Sequence, residues 1–166
     1  MGEDTSMANR QVKKTKQLGP DVRPLPTVEE LKVLFDEYNK LYFWGKLGKC
    51  EFHFFPKTNS CAGWYNHRRM TNGKVKSQIW LGKCVKWTGQ VLKEVLVHEM
   101  IHMYNRTIES DRCDGILGHG RRFKRQCRRL MKEHGLKISI HGGYEYIDER
   151  PEPALWEKVL LWVIDR

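Results

Sequence analysis

The spacing of hydrophobic and polar positions changes several times along the chain, and each change predicts a different element. After Pro26 and Thr27, apolar residues recur at helical spacing. They are Leu31, Leu34, Phe35, Tyr38, Leu41 and Tyr42. Thr27 and Glu30 have the spacing of a capping box, which favours a helix start at this point. Gly45 and Gly48 predict its end.

The following third of the chain has the character of strands. Residues 50–55 are rich in aromatic side chains and are followed by Pro56, and residues 61–65 form a second short segment. From 74 to 81, apolar and polar residues alternate, which is the period of a half-buried strand. Asn72-Gly73 predicts a tight turn before it. We therefore expect a small antiparallel or mixed sheet.

Two further helices are predicted beyond the sheet. Thr88 is a suitable cap for a helix over about 89–106, which is apolar almost all round and should lie in the centre of the domain. A third helix is expected from about Arg121 to His134, with Gly135 at its end. Its apolar face is expected to consist of Phe123, Cys127, Leu130 and Met131. Residues 137–148 have an extended pattern.

The chain length of 166 residues fits one domain with terminal extensions. Residues 1–26 have scattered charge and little periodicity, and we expect a flexible basic tail. Residues 27–148 form the predicted domain. Residues 149–166 are expected to form a helix that starts at Pro153 and packs on the domain through its leucines and tryptophans. The fold class is therefore predicted as α+β.

The composition excludes several classes of protein. The five cysteines are odd in number and form no CxxC pair, which argues against a disulfide framework and a cysteine-ligated zinc site. No segment has the length of a membrane span, so we expect no membrane partner and a cytoplasmic, or nucleoid- or nucleus-associated, location. The formal net charge of +10 favours polyanionic partners such as DNA or RNA.

The second helix contains His98-Glu99-Met100-Ile101-His102, an HExxH motif. Histidines four residues apart lie one helical turn apart on one face, so both can bind a single zinc ion. Glu99 projects beside them and can act as general base on a water molecule at the ion. Three ionisable groups in an apolar helix are costly to bury unless a metal pairs with them.

A catalytic zinc ion requires a third protein ligand and one open position. His119 is the strongest candidate because Gly118 and Gly120 allow the backbone to turn tightly at the start of the third helix. The other four histidines are better explained as surface or capping residues. They are His53, His67, His134 and His141.

In these features the sequence resembles the SprT-like family over about residues 28–142. The matching segments are Asn39 to Phe43, Ala62 to Tyr65, Ile79 to Leu81, Val97 to His102, and Gly118 to Gly120 with Phe123. The combination of HExxH with a later GHGxxF is more specific than either motif alone.

The resemblance implies a small zincin-like α+β domain in which the edge of a sheet aligns an extended peptide. It implies that His98, His102 and His119 bind one zinc ion and that Glu99 is the catalytic base. Family members of the Spartan kind degrade proteins crosslinked to DNA. Many relatives carry a C-terminal zinc ribbon built from CxxC pairs, whereas this chain has no CxxC pair and has a tryptophan-rich segment instead.

Basic residues are concentrated in the third helix, where they could follow a phosphate backbone. They are Arg121, Arg122, Lys124, Arg125, Arg128, Arg129 and Lys132, and Arg68 and Arg69 add two more elsewhere. Trp64 and Tyr65 could stack on unpaired bases, or could belong to the core. Any DNA binding is expected to be weakly sequence-specific because no base-reading motif is present.

Three functions remain open at this stage. The first is a zinc endopeptidase acting on DNA-associated or DNA-crosslinked proteins, with Tyr65, Tyr144 or His141 stabilising the oxyanion. The second is a nucleic-acid-binding protein whose zinc site is structural or vestigial. The third is a zinc hydrolase that acts on a substrate other than protein.

Overall fold

The computed structural model describes residues 21–55, 61–71, 75–109, 118–140 and 144–146. Within them it contains three helices and one sheet, so the α+β class is confirmed. The helices are α1 (Val28–Phe43), α2 (Gly89–Thr107) and α3 (Arg121–His134), and the strands are β1 (Cys50–Phe55), β2 (Gly63–Arg69) and β3 (Val75–Gly82). The predicted turn at Asn72-Gly73 and the predicted C-terminal helix lie outside the described residues.

The sheet is mixed, with the strand order β1-β3-β2. Strand β3 is central, and it pairs with β1 in parallel and with β2 in antiparallel orientation. Its Ser77, Ile79 and Leu81 are buried, as the alternating pattern predicts. Strand β2 is longer than expected from sequence, because its pairing with β3 extends to Arg69.

Threonine caps mark the starts of α1 and α2. The Thr27 and Thr88 hydroxyls accept hydrogen bonds from the backbone N–H groups of Glu30 and Val91 at 3.1 Å, which satisfies donors that the first helical turn leaves free. The capping box at α1 is only half formed, since the Glu30 carboxylate binds the Arg23 guanidinium.

Helices α1 and α3 end at residues in the left-handed conformation. Helix α3 ends at Gly135 with a φ of 64°, as predicted. Helix α1 ends instead on Trp44, with a φ of 56°, and Gly45 follows at 69°.

Helix α2 lies in the centre of the domain, as its apolar sequence predicts. Ten of its residues are buried, and it packs against β2, α1 and α3. The prediction for the apolar face of α3 was wrong at Met131, which is 53% exposed, whereas Gln126 is buried. Among the described residues 137–140 and 144–146, the expected extended pattern is reduced to one isolated bridge between Tyr146 and Val85.

The described part of the predicted tail is attached to the domain. The Arg23 N–H donates to the Trp87 carbonyl at 2.8 Å, and Pro26 is buried. Residues 1–20 and 149–166 lie outside the described residues, so the predicted division at 26 and 148 stays a prediction. No helix in the described part of the chain is long and apolar enough to cross a membrane.

Candidate metal centre

Helix α2 presents His98 and His102 to the same point. Their Nε2 atoms are 3.2 Å apart, as the i, i+4 spacing of the HExxH motif predicts. Both side chains are half-buried and lie on the side of α2 that faces α3. The motif therefore supplies two converging nitrogen atoms from one rigid element.

The third histidine comes from the start of α3. His119 Nε2 lies 2.9 Å from His98 Nε2 and 3.2 Å from His102 Nε2. Gly118 has a φ of 71°, and a Cβ at that position would lie 3.1 Å from His102 Cε1. Only glycine therefore combines the left-handed turn with this close approach to the His102 ring.

Phe123 packs against all three imidazoles. Its ring centroid is 4.7 Å from those of His98 and His102 and 4.6 Å from that of His119. The residue is fully buried. Phe123 therefore restricts the orientations of the three imidazole rings. The sequence placed this residue on an apolar face and in the GHGxxF motif, but did not reveal this contact.

The electrostatic surroundings favour neutral imidazoles. Burial and the neighbouring His119 lower the pKa of His98 to about 4, and burial with both other histidines lowers that of His102 to about 3. His98 Nδ1 lies 2.9 Å from the Ser139 carbonyl oxygen and must donate to it, because a carbonyl can only accept. This tautomer leaves the Nε2 lone pair of His98 directed at the cluster.

This donor set fits a divalent cation such as zinc. Zinc binds histidine nitrogens at about 2.0–2.1 Å, so a tetrahedral site separates them by roughly 3.3 Å. The three nitrogens here are 2.9–3.2 Å apart. The carbonyl that fixes the tautomer of His98 is the outer partner that histidine ligands usually have. His98, His102 and His119 together could hold a metal ion.

Glu99 lies beside the histidine cluster and is 4% exposed. Burial raises the pKa of its carboxyl to about 8, while a hydrogen bond from the Tyr65 N–H opposes that rise. A Cβ on Gly63 would lie 2.8 Å from Glu99 Oε1 and 2.8 Å from Val95 Cγ1. The absence of a side chain at Gly63 therefore allows the carboxylate to lie against the edge of β2.

The three candidates for oxyanion stabilisation have different surroundings. The Tyr65 hydroxyl is engaged with Ser77 at 3.1 Å and His67 at 3.2 Å, on the face of β2 that packs on α2. Burial and the carboxylates of Glu94 and Glu99 raise the pKa of Tyr144 to about 12. His141 lies outside the described residues. The Tyr65 hydroxyl is therefore already engaged within the sheet, which leaves Tyr144 as the other described candidate.

Three other histidines are described, and all lie away from the cluster. The His53 ring stacks on Trp80 at 4.5 Å, and the His134 ring contacts that of Tyr42 at 5.0 Å. His67 accompanies Tyr65 on β2. These ring contacts are with aromatic side chains of the sheet and of α1, and the absence of a ligand role for these histidines stays a prediction.

The basic residues predicted to bind nucleic acid lie on two surfaces. Helix α3 carries Arg121, Arg122, Lys124, Arg125, Arg128 and Arg129. Arg68 is exposed on the outer face of β2, which it shares with Trp64, while Tyr65 belongs to the opposite face. The side chain of Arg69 lies outside the described residues. Trp64 is therefore exposed on the same face of β2 as Arg68, whereas Tyr65 is half-buried on the opposite face.

The fold and this histidine cluster together define a small α+β protein of the zincin-like class, with an HExxH helix packed on a short mixed sheet. The sequence profile of the SprT-like family matches residues 31–142. The chain belongs to the SprT-like family, and the resemblance noted in its motifs is thereby confirmed.

Relatives of the chain include named enzymes. The DNA-dependent metalloprotease dvc-1 of Caenorhabditis elegans is 28% identical over 117 residues, covering 69% of this chain and 31% of the relative. The DNA-dependent metalloprotease SPRTN of Homo sapiens is 29% identical over 138 residues, covering 77% of this chain and 25% of the relative. For SPRTN of Danio rerio the identity is 26% over 137 residues, with 76% and 21% covered. The chain thus spans only about a fifth to a third of the length of these relatives.

Proposed function

We propose that this chain is a zinc-dependent endopeptidase that acts on DNA-associated or DNA-crosslinked proteins. The observation that carries the proposal is the convergence of three histidine Nε2 atoms within 3.2 Å of one another, next to a buried glutamate. Membership of the SprT-like family and the names of the relatives support the peptidase activity and the connection to DNA.

In the proposed reaction, His98, His102 and His119 would hold the ion through their neutral Nε2 atoms. When bound, zinc supplies Lewis acidity, which lowers the pKa of water towards about 7 and polarises a peptide carbonyl. The low pKa values of His98 and His102 keep both rings unprotonated at neutral pH, so that protons do not compete for the ligand positions.

Glu99 is the proposed general base. Burial raises the pKa of its carboxyl to about 8, and a cation held by the adjacent histidines would favour the ionised form. The carboxylate would then take the proton from the attacking water and deliver it to the leaving amine nitrogen. The Tyr65 N–H holds the carboxylate, and Gly63 leaves the space in which it lies. Because the side chain is almost completely buried, its orientation is restricted before the substrate arrives.

The substrate is expected to bind along β2. This strand is at an edge of the sheet, so one side of its backbone can pair with an extended peptide. Tyr65, whose N–H reaches Glu99, belongs to the same strand. A peptide paired with β2 would therefore pass the proposed general base, and Tyr144 could donate a hydrogen bond to the carbonyl oxygen as negative charge develops there.

The decisive experiment compares the wild type with Glu99→Gln. Purified protein with zinc is incubated with a DNA-binding protein substrate, in the absence of DNA and with single- or double-stranded DNA. The amide variant is expected to retain one equivalent of metal by elemental analysis, because the histidines are unchanged, and to lose about 10²–10⁴-fold in cleavage rate.

Two outcomes would overturn the proposal. Full proteolysis by Glu99→Gln would exclude the general-base assignment. A wild-type protein that binds metal and DNA but cleaves no protein under any of these conditions would favour a nucleic-acid-binding protein with a structural metal site.

A further inference from the structure

The basic residues of α3 divide into two groups according to their partners. Arg122 and Arg125 are both used within the domain and contact Glu109, which follows α2. Arg122 donates to the Glu109 carbonyl at 2.9 Å, and Arg125 forms an ion pair with the Glu109 carboxylate at 2.5 Å. These two contacts therefore connect α3 to the residue that follows α2, and the Glu109 carboxylate neutralises the charge of Arg125.

Arg129 is also committed to the fold. It forms an ion pair with Glu133 at 2.9 Å and donates to the Tyr42 carbonyl at 2.8 Å. Its guanidinium lies over the Trp44 ring, 4.4 Å from the centroid. These contacts connect α3 to the end of α1, so Arg129 has a structural role.

The other four cations of α3 have no such partners. Arg121, Lys124, Arg128 and Lys132 are all exposed, and none forms an ion pair with a carboxylate of the described residues. They occupy positions i, i+3, i+7 and i+11, which at 100° per residue lie within an arc of about 80° and along about 16 Å of the helix. We call these four residues the basic row.

The basic row is electrostatically unfavourable for the free protein. Like charges three or four residues apart on a helix destabilise it by about 0.2–0.5 kcal/mol per pair. Arg121 is the first residue of α3, where the helix dipole opposes a positive charge. A polyanion that lies along the row would reverse both effects, since each cation would gain a counter-charge.

The row also begins next to the histidine cluster. Arg121 follows His119 by two residues, while Phe123, on the other side of α3, packs against the three imidazoles. A ligand bound along the row would therefore begin within two residues of His119, on the side of α3 that faces away from the imidazoles. A protein attached to such a ligand would be held near the proposed active site.

We propose that the basic row binds the sugar–phosphate backbone of nucleic acid and so positions a nucleic-acid-bound protein for cleavage. The proposal rests on the peptidase function and assigns the DNA contact of that same site to four particular residues. A phosphate backbone fits because it offers regularly spaced charges along a line. A membrane surface fits less well, because a helix that lies on lipid inserts an apolar face, and Phe123 and Leu130 of α3 are buried in the core.

The test measures DNA binding separately from proteolysis. A double variant, Lys124→Gln with Arg128→Gln, is made in the Glu99→Gln protein so that no cleavage interferes. The matched control is Lys32→Gln with Lys40→Gln in the same background, which removes two exposed cations from α1. Binding of a labelled oligonucleotide of about 20 nucleotides, single- or double-stranded, is followed by fluorescence anisotropy over a series of salt concentrations.

The row variant is expected to bind roughly tenfold more weakly near 0.15 M salt. Each phosphate contact contributes about 0.7 for single strands, or about 0.9 for duplex, to the slope of log K against log salt concentration. Loss of two contacts should therefore make this slope shallower by about 1.4 for single strands and about 1.8 for duplex. The α1 control should change the slope by less than about 0.5, because general charge effects are screened at this ionic strength.

Several results would overturn the assignment while leaving the peptidase proposal intact. Equal slopes for the row variant and the control would show that the row makes no phosphate contact. Binding to phosphatidylserine vesicles but not to DNA, lost in the row variant, would identify a lipid surface as the ligand. Thermal unfolding and metal content, unchanged in both variants, serve to exclude misfolding as the cause of weaker binding.

Discussion

The substitution Gly63→Ala tests whether the packing of Glu99 against β2 matters for activity. An added Cβ would lie 2.8 Å from both Glu99 Oε1 and Val95 Cγ1, and 3.1 Å from Glu99 Cγ. Carbon contacts are optimal at about 3.5–4.0 Å, so the contact with Val95 requires a shift of at least about 0.7 Å. Val95 is 2% exposed and Glu99 is 4% exposed, so neither can turn into solvent without leaving its packed position.

The expected magnitude follows from this overlap. Overpacking of a buried site costs about 1–3 kcal/mol, whereas Gly→Ala at an unstrained position normally stabilises by about 0.4–1 kcal/mol. We therefore expect Gly63→Ala to lower the free energy of unfolding, whereas Gly→Ala at an unstrained position normally raises it. A displacement of the general base by about 1 Å should lower kcat about 10–100-fold.

Urea unfolding and steady-state cleavage of a DNA-binding protein, each with metal content measured, provide the assay. Gly48→Ala is the matched control, because a Cβ there has no atom within 4 Å and the backbone is not left-handed. The control should keep full activity, and both variants should keep their metal. A Gly63→Ala protein with wild-type stability and kcat would refute the reasoning that links Gly63 to the orientation of Glu99.

Three further predictions concern the same centre. His119→Ala should lower metal content by elemental analysis and reduce zinc affinity at least about tenfold, since it removes one of three donors, and stoichiometric tight metal in this variant would contradict the ligand assignment. Tyr144→Phe should lower kcat about 10–1000-fold with little change in KM if the phenol stabilises the oxyanion, and an unchanged kcat would exclude that role. In the chelated protein, the pKa of His98 is about 4 when folded and about 6.5 when unfolded, so the unfolded chain gains protons first. The contribution of His98 to the free energy of unfolding is therefore complete above about pH 6.5, and about 3 kcal/mol of it is lost as the pH approaches 4. Urea unfolding of the wild type and of His98→Asn over this pH range would measure the loss.

Local sequence was sufficient for the starts of α1 and α2, for the end of α3 and for the convergence of two of the three proposed metal ligands. Thr27 and Thr88 cap their helices through contacts with residues three positions away, and the end at Gly135 depends on the left-handed conformation of one residue. His98 and His102 converge because a helix places residues i and i+4 on one side. Such features need only the geometry of a single element, so their spacing in the chain is enough to predict them.

The sheet order could not be obtained in the same way. Strand β3 follows β2 in the chain, yet it lies between β1 and β2 and pairs with β1 in parallel. Alternating hydrophobicity indicates which face of a strand is buried but does not identify its neighbours. The position of β2 at the edge, next to Glu99, is therefore a property of the assembled sheet.

The remaining features of the site depend on contacts between residues far apart in the chain. The tautomer of His98 is fixed by Ser139, and the space for Glu99 is provided by Gly63. The basic residues of α3 look equivalent in the sequence, but Glu109 and Glu133 engage two of the arginines and leave a continuous row uncompensated. Periodicity defines which side of a helix is polar but does not identify the partner of each charge. Glu133 reaches Arg129 from one turn away on α3 itself, whereas Glu109 reaches Arg125 from beyond the end of α2, and only the tertiary fold brings that pair together.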